Sequence, residues 1–435
     1  MHYLQQGLFV LSAGLAIFLF AKKAGQIKRN ILLGRDANFS DRSGERWKNL
    51  FLLAFGQKKM FQNPMVAVLH FIIYAGFLII NIEVLEIFLD GILGTHRLFL
   101  PVLGSFYTFL INSFELLALG VLITCVIFLT RRYGIKVKRL VSRDLTGWPK
   151  SDATIILVTE IVLMSLFLTM NAADRSLQLQ GVEGYHETGG FIVSNYLVSA
   201  FSTWSSTSLI VLERTCWWLH ILGIFAFLNY LPWSKHLHII LAFPNAYFAR
   251  LETPGKITNM PSVQNEVLYA MQPELAPTDA AAPGKFGAKD VMDLTWKNLL
   301  DAYSCTECGR CSSQCPANLT GKALSPRKIM MATRDRLEMV GENINKNGSF
   351  VPDGKTLLHD FITVEELRAC TTCNACVEAC PVSISPLEII IDMRRALIME
   401  DSNAPQEWNS MFSNVENNFA PWKFSPDDRD AWVNS

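Results

Sequence analysis

MVAVLHFIIYAGFLIINIEVLE, residues 65–86, is an apolar run that holds one histidine, His70, and two acids towards its end, Glu83 and Glu86. Extended to residue 89, it has the roughly 20 residues that a helix needs to cross the hydrocarbon core of a bilayer. Comparable runs lie at residues 4–20, 106–130, 153–171 and 208–231. Five membrane spans follow. The first run lacks a basic leading region and a small-residue cleavage site, and its basic residues come after it, so it reads as a span and not as a signal peptide.

The rest of the composition agrees with this division. Of 435 residues, 50% are hydrophobic and 18% charged, with 39 Lys+Arg balancing 39 Asp+Glu. The balance gives no reason to expect nucleic acid as a partner. The long apolar runs are confined to the first 250 residues, and the remainder has the composition of an ordinary soluble domain. Residues 22–59 carry ten Lys or Arg and residues 131–150 carry seven, whereas the other two connections hold only Arg97 and Arg175. The positive-inside rule therefore predicts a periplasmic N-terminus and a cytoplasmic C-terminal domain, in the inner membrane.

Between the spans, residues 46–60 (RWKNLFLLAFGQKKM) are too short and too charged to cross and read as an amphipathic surface helix. Residues 189–204 are apolar but contain Gly, Asn and Ser, as a re-entrant or periplasmic cap segment would. Residues 252–287 are rich in Pro, Ala and Gly and read as a linker. The expected plan is a membrane domain at 1–250, a linker at 251–290, a metal-binding domain at 291–400 and an extended tail at 401–435. The tail holds Trp408, Trp422 and Trp432 and is expected to dock on a cytoplasmic partner.

Eight of ten cysteines form two copies of C-x2-C-x2-C-x3-C-P: Cys305-TE-Cys308-GR-Cys311-SSQ-Cys315-Pro316 and Cys370-TT-Cys373-NA-Cys376-VEA-Cys380-Pro381. Three thiolates two residues apart wrap three corners of a cubane, and the fourth reaches the other cluster. The expected sets are Cys305, Cys308, Cys311 and Cys380 for one [4Fe–4S] cluster, and Cys370, Cys373, Cys376 and Cys315 for the other. Zinc pairs its ligands and leaves the recurring third cysteine, fourth cysteine and proline without a reason. Such thiolates belong in a reducing compartment. Cys125 and Cys216 lie in apolar runs and receive no function.

His70, about six residues inside Pro64, and His238, just after Pro232, belong at the cytoplasmic side. Two imidazoles from different helices at one depth are what a six-coordinate haem b requires. His220, 18 residues before His238, would lie roughly 27 Å away on a continuous helix, so it serves a second haem or a quinone pocket. His236 competes for the role of His238. Ionisable groups inside spans are expensive, which makes Glu83, Glu86 and Glu115, with Glu160 and Glu213, candidates for exchanging protons with a quinol.

Residues 65–86 and 217–249 resemble the haem-b membrane domain of respiratory nitrate reductase gamma subunits and heterodisulfide-reductase-type membrane proteins. Residues 364–400 (VEELRACTTCNACVEACPVSISPLEIIIDMRRALIME) are similar to the iron–sulfur part of heterodisulfide reductase and its quinone-linked relatives. The resemblance implies haem ligation at His70, His220 and His238, but its fourth ligand position is Ile80 here, so one or two haems are implied. It also implies a partner that supplies what this chain lacks, either a cytoplasmic iron–sulfur subunit with CCG modules or a flavoprotein.

The sequence thus predicts an all-α protein, a five-helix transmembrane haem b bundle followed by a mostly helical two-cluster ferredoxin-type domain. Its expected role is that of a non-catalytic or quinone-site subunit passing electrons between a cytoplasmic partner and menaquinone. The rival roles are a heterodisulfide-reductase-type subunit that uses quinol electrons, and a membrane redox sensor or scaffold.

Overall fold

Five helices follow the five apolar runs, and the first, second and fourth extend beyond theirs at both ends: α1 (His2–Ile31), α2 (Pro64–Leu93), α3 (Ser105–Leu129), α4 (Trp148–Leu179) and α5 (Ser206–Tyr230). They come from a computed structural model describing residues 2–253, 255–277, 284–423, 425–428 and 430–433. Among these residues 71% are helical and none forms a strand.

Local chemistry sets the helix ends. Asn63 caps α2 by accepting from the Val66 amide at 3.4 Å, Pro64 occupies the first turn, and Gly94 closes the helix in the left-handed region at φ 72°. Ser205 caps α5 through the Ser208 amide.

The five helices form a closed ring, with each packed on its sequence neighbour and α1 returning against α5. The interior is filled by Phe9 of α1, Ile80 of α2, Phe114 of α3, Phe167 of α4 and Ile221 of α5. Leu11, Phe18, Phe109 and Val211 stand exposed on the outside. Apolar residues on both inside and outside suit helices surrounded by lipid.

The C-terminal half packs directly on one end of this ring. Its principal helices are α7 (Trp296–Ser304), α8 (Pro326–Asn347) and α9 (Pro386–Arg395), reached through α6 (His238–Tyr247). A 30-residue α1 is about 45 Å long against a hydrocarbon core of about 30 Å, so its last turns leave the membrane. Ile27 and Ile31 of those turns share a core with Leu294, Leu299 and Leu337. Asn30 Nδ2 donates to Tyr303 Oη at 3.0 Å, and a Cβ on Gly341 would stand 2.3 Å from that same Asn30 nitrogen.

Several expectations are corrected. The helix carrying His220 does not run on to His238: it ends at Tyr230, and two short turns, Leu231–Trp233 and Lys235–Leu237, intervene before α6. The surface segment at 46–60 is helical only to Phe55, over Ser43–Asn49 and a wider turn at Leu50–Phe55 that Gly56 ends. The linker contains a helix, Pro261–Met271, none of whose residues is buried; its residues 254 and 278–283 lie outside the described residues. The tail is not extended throughout. Residues Gln406–Asn418 form α10, which has no buried residue; residues 424, 429, 434 and 435 of the tail lie outside the described residues. Residues 189–204 form only short turns, Asn195–Val198 and Ser199–Phe201.

Candidate redox centres

The two cysteine motifs share one backbone trace. Cys305 ends α7 and Cys370 ends the helix Val364–Ala369, both in extended conformation. In each motif the residue before the second cysteine and the residue after it are left-handed: Glu307 (φ 54°) and Gly309 (φ 73°), then Thr372 (φ 57°) and Asn374 (φ 61°). Two reversals in so short a loop turn three thiols towards one point, and Gly and Asn tolerate that conformation best.

The fourth thiol of each motif lies with the triad of the other. Burial, with Cys305, Cys308 and Cys380 close by, pushes the Cys311 thiol well above its ordinary value. Burial beside Cys370, Cys315 and Cys373 pushes Cys376 up to about 12. Cys305, Cys308, Cys311, Cys376 and Cys380 line one cavity. Backbone amides of Thr372 and Ile384 donate to the sulfurs of Cys370 and Cys380 at 3.4 and 3.3 Å. No three His, Cys, Asp or Glu side chains among the described residues converge as a single-ion site would require. Thiols set around a void fit a multi-iron cluster better than one zinc.

The histidines show a common pattern. His70 Nδ1 pairs with Gln57 Oε1 at 3.1 Å, His220 Nδ1 with the Leu163 carbonyl at 3.0 Å, and His238 Nδ1 with the Lys235 carbonyl at 3.1 Å. An oxygen acceptor forces the proton onto Nδ1 and leaves Nε2 with a free lone pair, the tautomer of metal-ligating histidines. For His236 no ring hydrogen bond is seen among the described residues; its backbone amide donates to the Ser234 hydroxyl and its ring packs edge-on 5.5 Å from that of His238. The His70 and His238 rings lie 6.5 Å apart, centroid to centroid. Two imidazoles on one iron, through bonds of about 2 Å each, stand about 6 Å apart, so the pair fits a shared metal. His220 is buried beside Phe167, with Ile80 and Ile221 in the same core, and no second imidazole joins it among the described ring contacts.

Polar contacts bind the inner end of the bundle to the first cysteine loop. Arg310 of that loop is within electrostatic reach of His70. Lys235, in the turn before His238, pairs with buried Glu307, which Arg334 holds from the other side at 2.7 Å. Burial opposes ionisation of Glu307, yet Arg334 and Lys235 keep its carboxyl below the usual range. In the connection between α3 and α4, Asp144 accepts from Arg327 at 2.9 Å.

Glu83, Glu86 and Glu115 sit at the other end, around Arg97 and its partners. Its guanidinium donates to Asp174 at 2.8 and 3.0 Å, to Asn171 at 2.7 Å and to Glu83 at 3.2 Å. Glu86 accepts from Tyr107 Oη at 2.7 Å and the Phe99 amide at 2.8 Å. Glu115 accepts from the Val193 and Ser194 amides and from Asn171. Glu213 pairs with Arg214, while Glu160 is partly buried. Sequence reasoning missed Gln57, Asp174, Lys235 and Glu307 as site residues, and it used Arg97 only for orientation. A lone arginine in an otherwise base-free connection was the available signal.

Comparison with known proteins agrees with the cysteine geometry. The 4Fe-4S dicluster domain family matches residues 304–384. The chain carries a 4Fe–4S dicluster domain. The chain is 27% identical to the probable iron-sulfur-binding oxidoreductase FadF of Bacillus subtilis, over 98% of this chain and 60% of that protein. It is 28% identical to the EtfAB:quinone oxidoreductase of Syntrophomonas wolfei, over 96% of this chain and 56% of the relative. A third similarity, 27% over 33% of this chain and 36% of the relative, is to one of the subunits of the dihydromethanophenazine:CoB–CoM heterodisulfide reductase of Methanosarcina acetivorans. The chain therefore spans less than two thirds of the length of its first two relatives. No solved structure matches. It is an iron–sulfur oxidoreductase-like protein with five helices fit to cross a membrane, and its relatives imply electron transfer through iron–sulfur clusters.

Proposed function

We propose that the chain passes electrons between a cytoplasmic redox partner and menaquinone, with two [4Fe–4S] clusters and haem b as carriers. The observation that carries this reading is the His70–His238 pair, tautomerically set for metal, beside the Cys305–Cys311 loop. Cys305, Cys308, Cys311 and Cys380 would hold one cluster, Cys370, Cys373, Cys376 and Cys315 the other, and His70 and His238 the haem. When bound, these groups supply one-electron steps, whereas a quinone exchanges two electrons and two protons.

The chain's own residues orient and brace. Gln57 and the Lys235 carbonyl fix the imidazole planes of His70 and His238. The Lys235–Glu307–Arg334 bridge ties the turn before His238 to the first cysteine loop. Relatives support the quinone end, since one is named an EtfAB:quinone oxidoreductase. In this reading residues 1–250 form the membrane domain and 291–400 the cluster domain, with the N-terminus periplasmic and the clusters cytoplasmic in the inner membrane. Either a flavoprotein or a CCG-containing iron–sulfur subunit would be the partner.

A second reading, a heterodisulfide-reductase-type subunit, is favoured by the similarity of about a third of the chain to subunits of two such enzymes. Anaerobic purification followed by menadiol addition tests the leading proposal. Reduction of haem and cluster signals is expected; a chain that dithionite reduces and menadiol does not would overturn it. Copurification of a CCG-containing subunit that reduces a disulfide with electrons from menadiol would favour the second reading.

A further inference from the structure

The acids at the outer end of the bundle are not equivalent, and counting donors on each carboxylate oxygen separates them. Asp90 receives the Thr95 hydroxyl on one oxygen and the Arg97 amide at 2.9 Å on the other. Glu86 has a donor on each oxygen, Phe99 N–H and Tyr107 O–H. Glu115 has Asn171 on one and two backbone amides on the other. Asp174 receives Gln178 on one and Arg97 twice on the other. These four are anchors: they fasten the outer connections and the Arg97 side chain.

Glu83 differs. It is 1% exposed, one oxygen takes the longest of the Arg97 contacts to an acid, and the other, Oε2, has no hydrogen-bond partner among the described residues. An ionised carboxylate oxygen left bare inside a bundle costs several kcal/mol, whereas a carboxylic acid with its proton there does not carry that charge. Charge counting points the same way. The guanidinium of Arg97 faces both Asp174 and Glu83, and Asp174 takes the shorter bonds. Asp174 thus takes the larger share of the Arg97 charge, and Glu83, which also faces Glu86 and Glu115, the smaller. Glu83 also lies one turn from Ile80, on the helix face that shares a core with Ile221, next to His220.

We infer that Glu83 is the proton-exchanging residue of the membrane domain, trading a proton with the hydroxyl of a naphthoquinol. This rests on the quinone reading above. Oxidation of one quinol breaks two O–H bonds and releases two electrons to the iron–sulfur clusters. Glu83, protonated at rest, first gives its proton to water at the outer surface; the carboxylate so formed takes one quinol proton and is restored, and the second quinol proton goes to water, so that two protons leave per quinol. In the reverse direction Glu83 returns that proton to the quinone oxygen. Glu86, Glu115, Asp90 and Asp174, each with a donor on both oxygens, position the Arg97 network.

The test uses the full chain in detergent and infrared difference spectra between electrochemically oxidised and reduced states. A protonated-carboxyl band that shifts in D2O is expected in the wild type, in Glu86→Gln and in Glu115→Gln, and is expected to vanish in Glu83→Gln. Menadiol-driven reduction of Glu83→Gln should fall about 100-fold or more, with its pH dependence flattened, while dithionite reduction is unchanged. Glu83→Asp should recover part of the rate. A band that survives Glu83→Gln, or a wild type with none, overturns the assignment. Because the band is driven by an electrode, it reads Glu83 even in a chain that menadiol does not reduce, and that second result would sink the quinone reading instead.

Discussion

At the end of the bundle facing the cysteine motifs, His70 and His238 lie ring to ring, each with Nδ1 tied to an oxygen. Midway along α5, His220 has the same Nδ1 tie, but its company is Phe167 and the apolar core, and the carboxylates around Arg97 lie further towards the opposite end. The same imidazole chemistry is thus set in two surroundings. The inner one supplies a second imidazole and a nearby cysteine loop. The outer one supplies apolar packing and, beyond it, buried acids held by Arg97. The difference teaches that the helix break after Tyr230, more than any single residue, divides the roles. By ending α5 early, it lets the chain bring His238 to His70 instead of carrying it away along a helix axis.

The largest expected effect breaks or keeps the inner pair. His70→Ala and His238→Ala should each abolish the low-spin spectrum of the haem, because one imidazole does not maintain six-coordination. His236→Ala, which lacks the Nδ1 tie, should leave it intact. A reversed result, with His236 essential and His238 dispensable, would show that the inner end is wrongly paired.

The next effect concerns what the inner end connects to. Anaerobically purified protein should hold about eight cluster irons, and Cys315→Ser should bring that towards about four. The signal lost should belong to the centre of Cys370, Cys373 and Cys376, since Cys315 lies among those thiols. Loss of the centre beside Cys305 would refute the crossed sets.

Ile80→His sharpens the contrast from the outer side. If His220 lacks only a partner, an added imidazole at this position raises the haem-to-protein ratio by about one. An unchanged ratio would show that the outer histidine is not built for iron. The smallest effect is mechanical. Lys235→Met keeps the apolar stem but leaves Glu307 with Arg334 alone, and should destabilise the chain by roughly 3 kcal/mol, read as a lower unfolding midpoint. No change would mean that the bridge contributes nothing between the two halves.

The five spans were legible because about 20 consecutive apolar residues have few other uses, and the positions of His70 and His238 were legible from Pro64 and Pro232 nearby. The far ends of the helices were not. Whether α1 stops at residue 20 or 31 depends on Leu299, Leu337 and Tyr303, which no local pattern near residue 25 announces. The acids were recognised as costly, but their sorting depends on which have donors. Those donors, Asn171 and the amides of Val193 and Ser194 for Glu115, come from distant segments. The helix in the tail was legible and was overlooked: Trp408, Met411, Phe412 and Val415 stand at i, i+3, i+4 and i+7. Aromatic content drew attention away from spacing.

The junction of α1 with the cluster domain also sets an order of manufacture. Asn30 and Tyr303 are 273 residues apart, a gap that a ribosome crosses in on the order of half a minute. Through that interval Ile27 and Ile31 wait at the membrane surface without their core, while the helices of the bundle are laid down one after another. The cluster domain, emerging after the bundle, completes its interior against a helix already made. A domain whose core α1 completes thus reaches its finished shape only where α1 already stands.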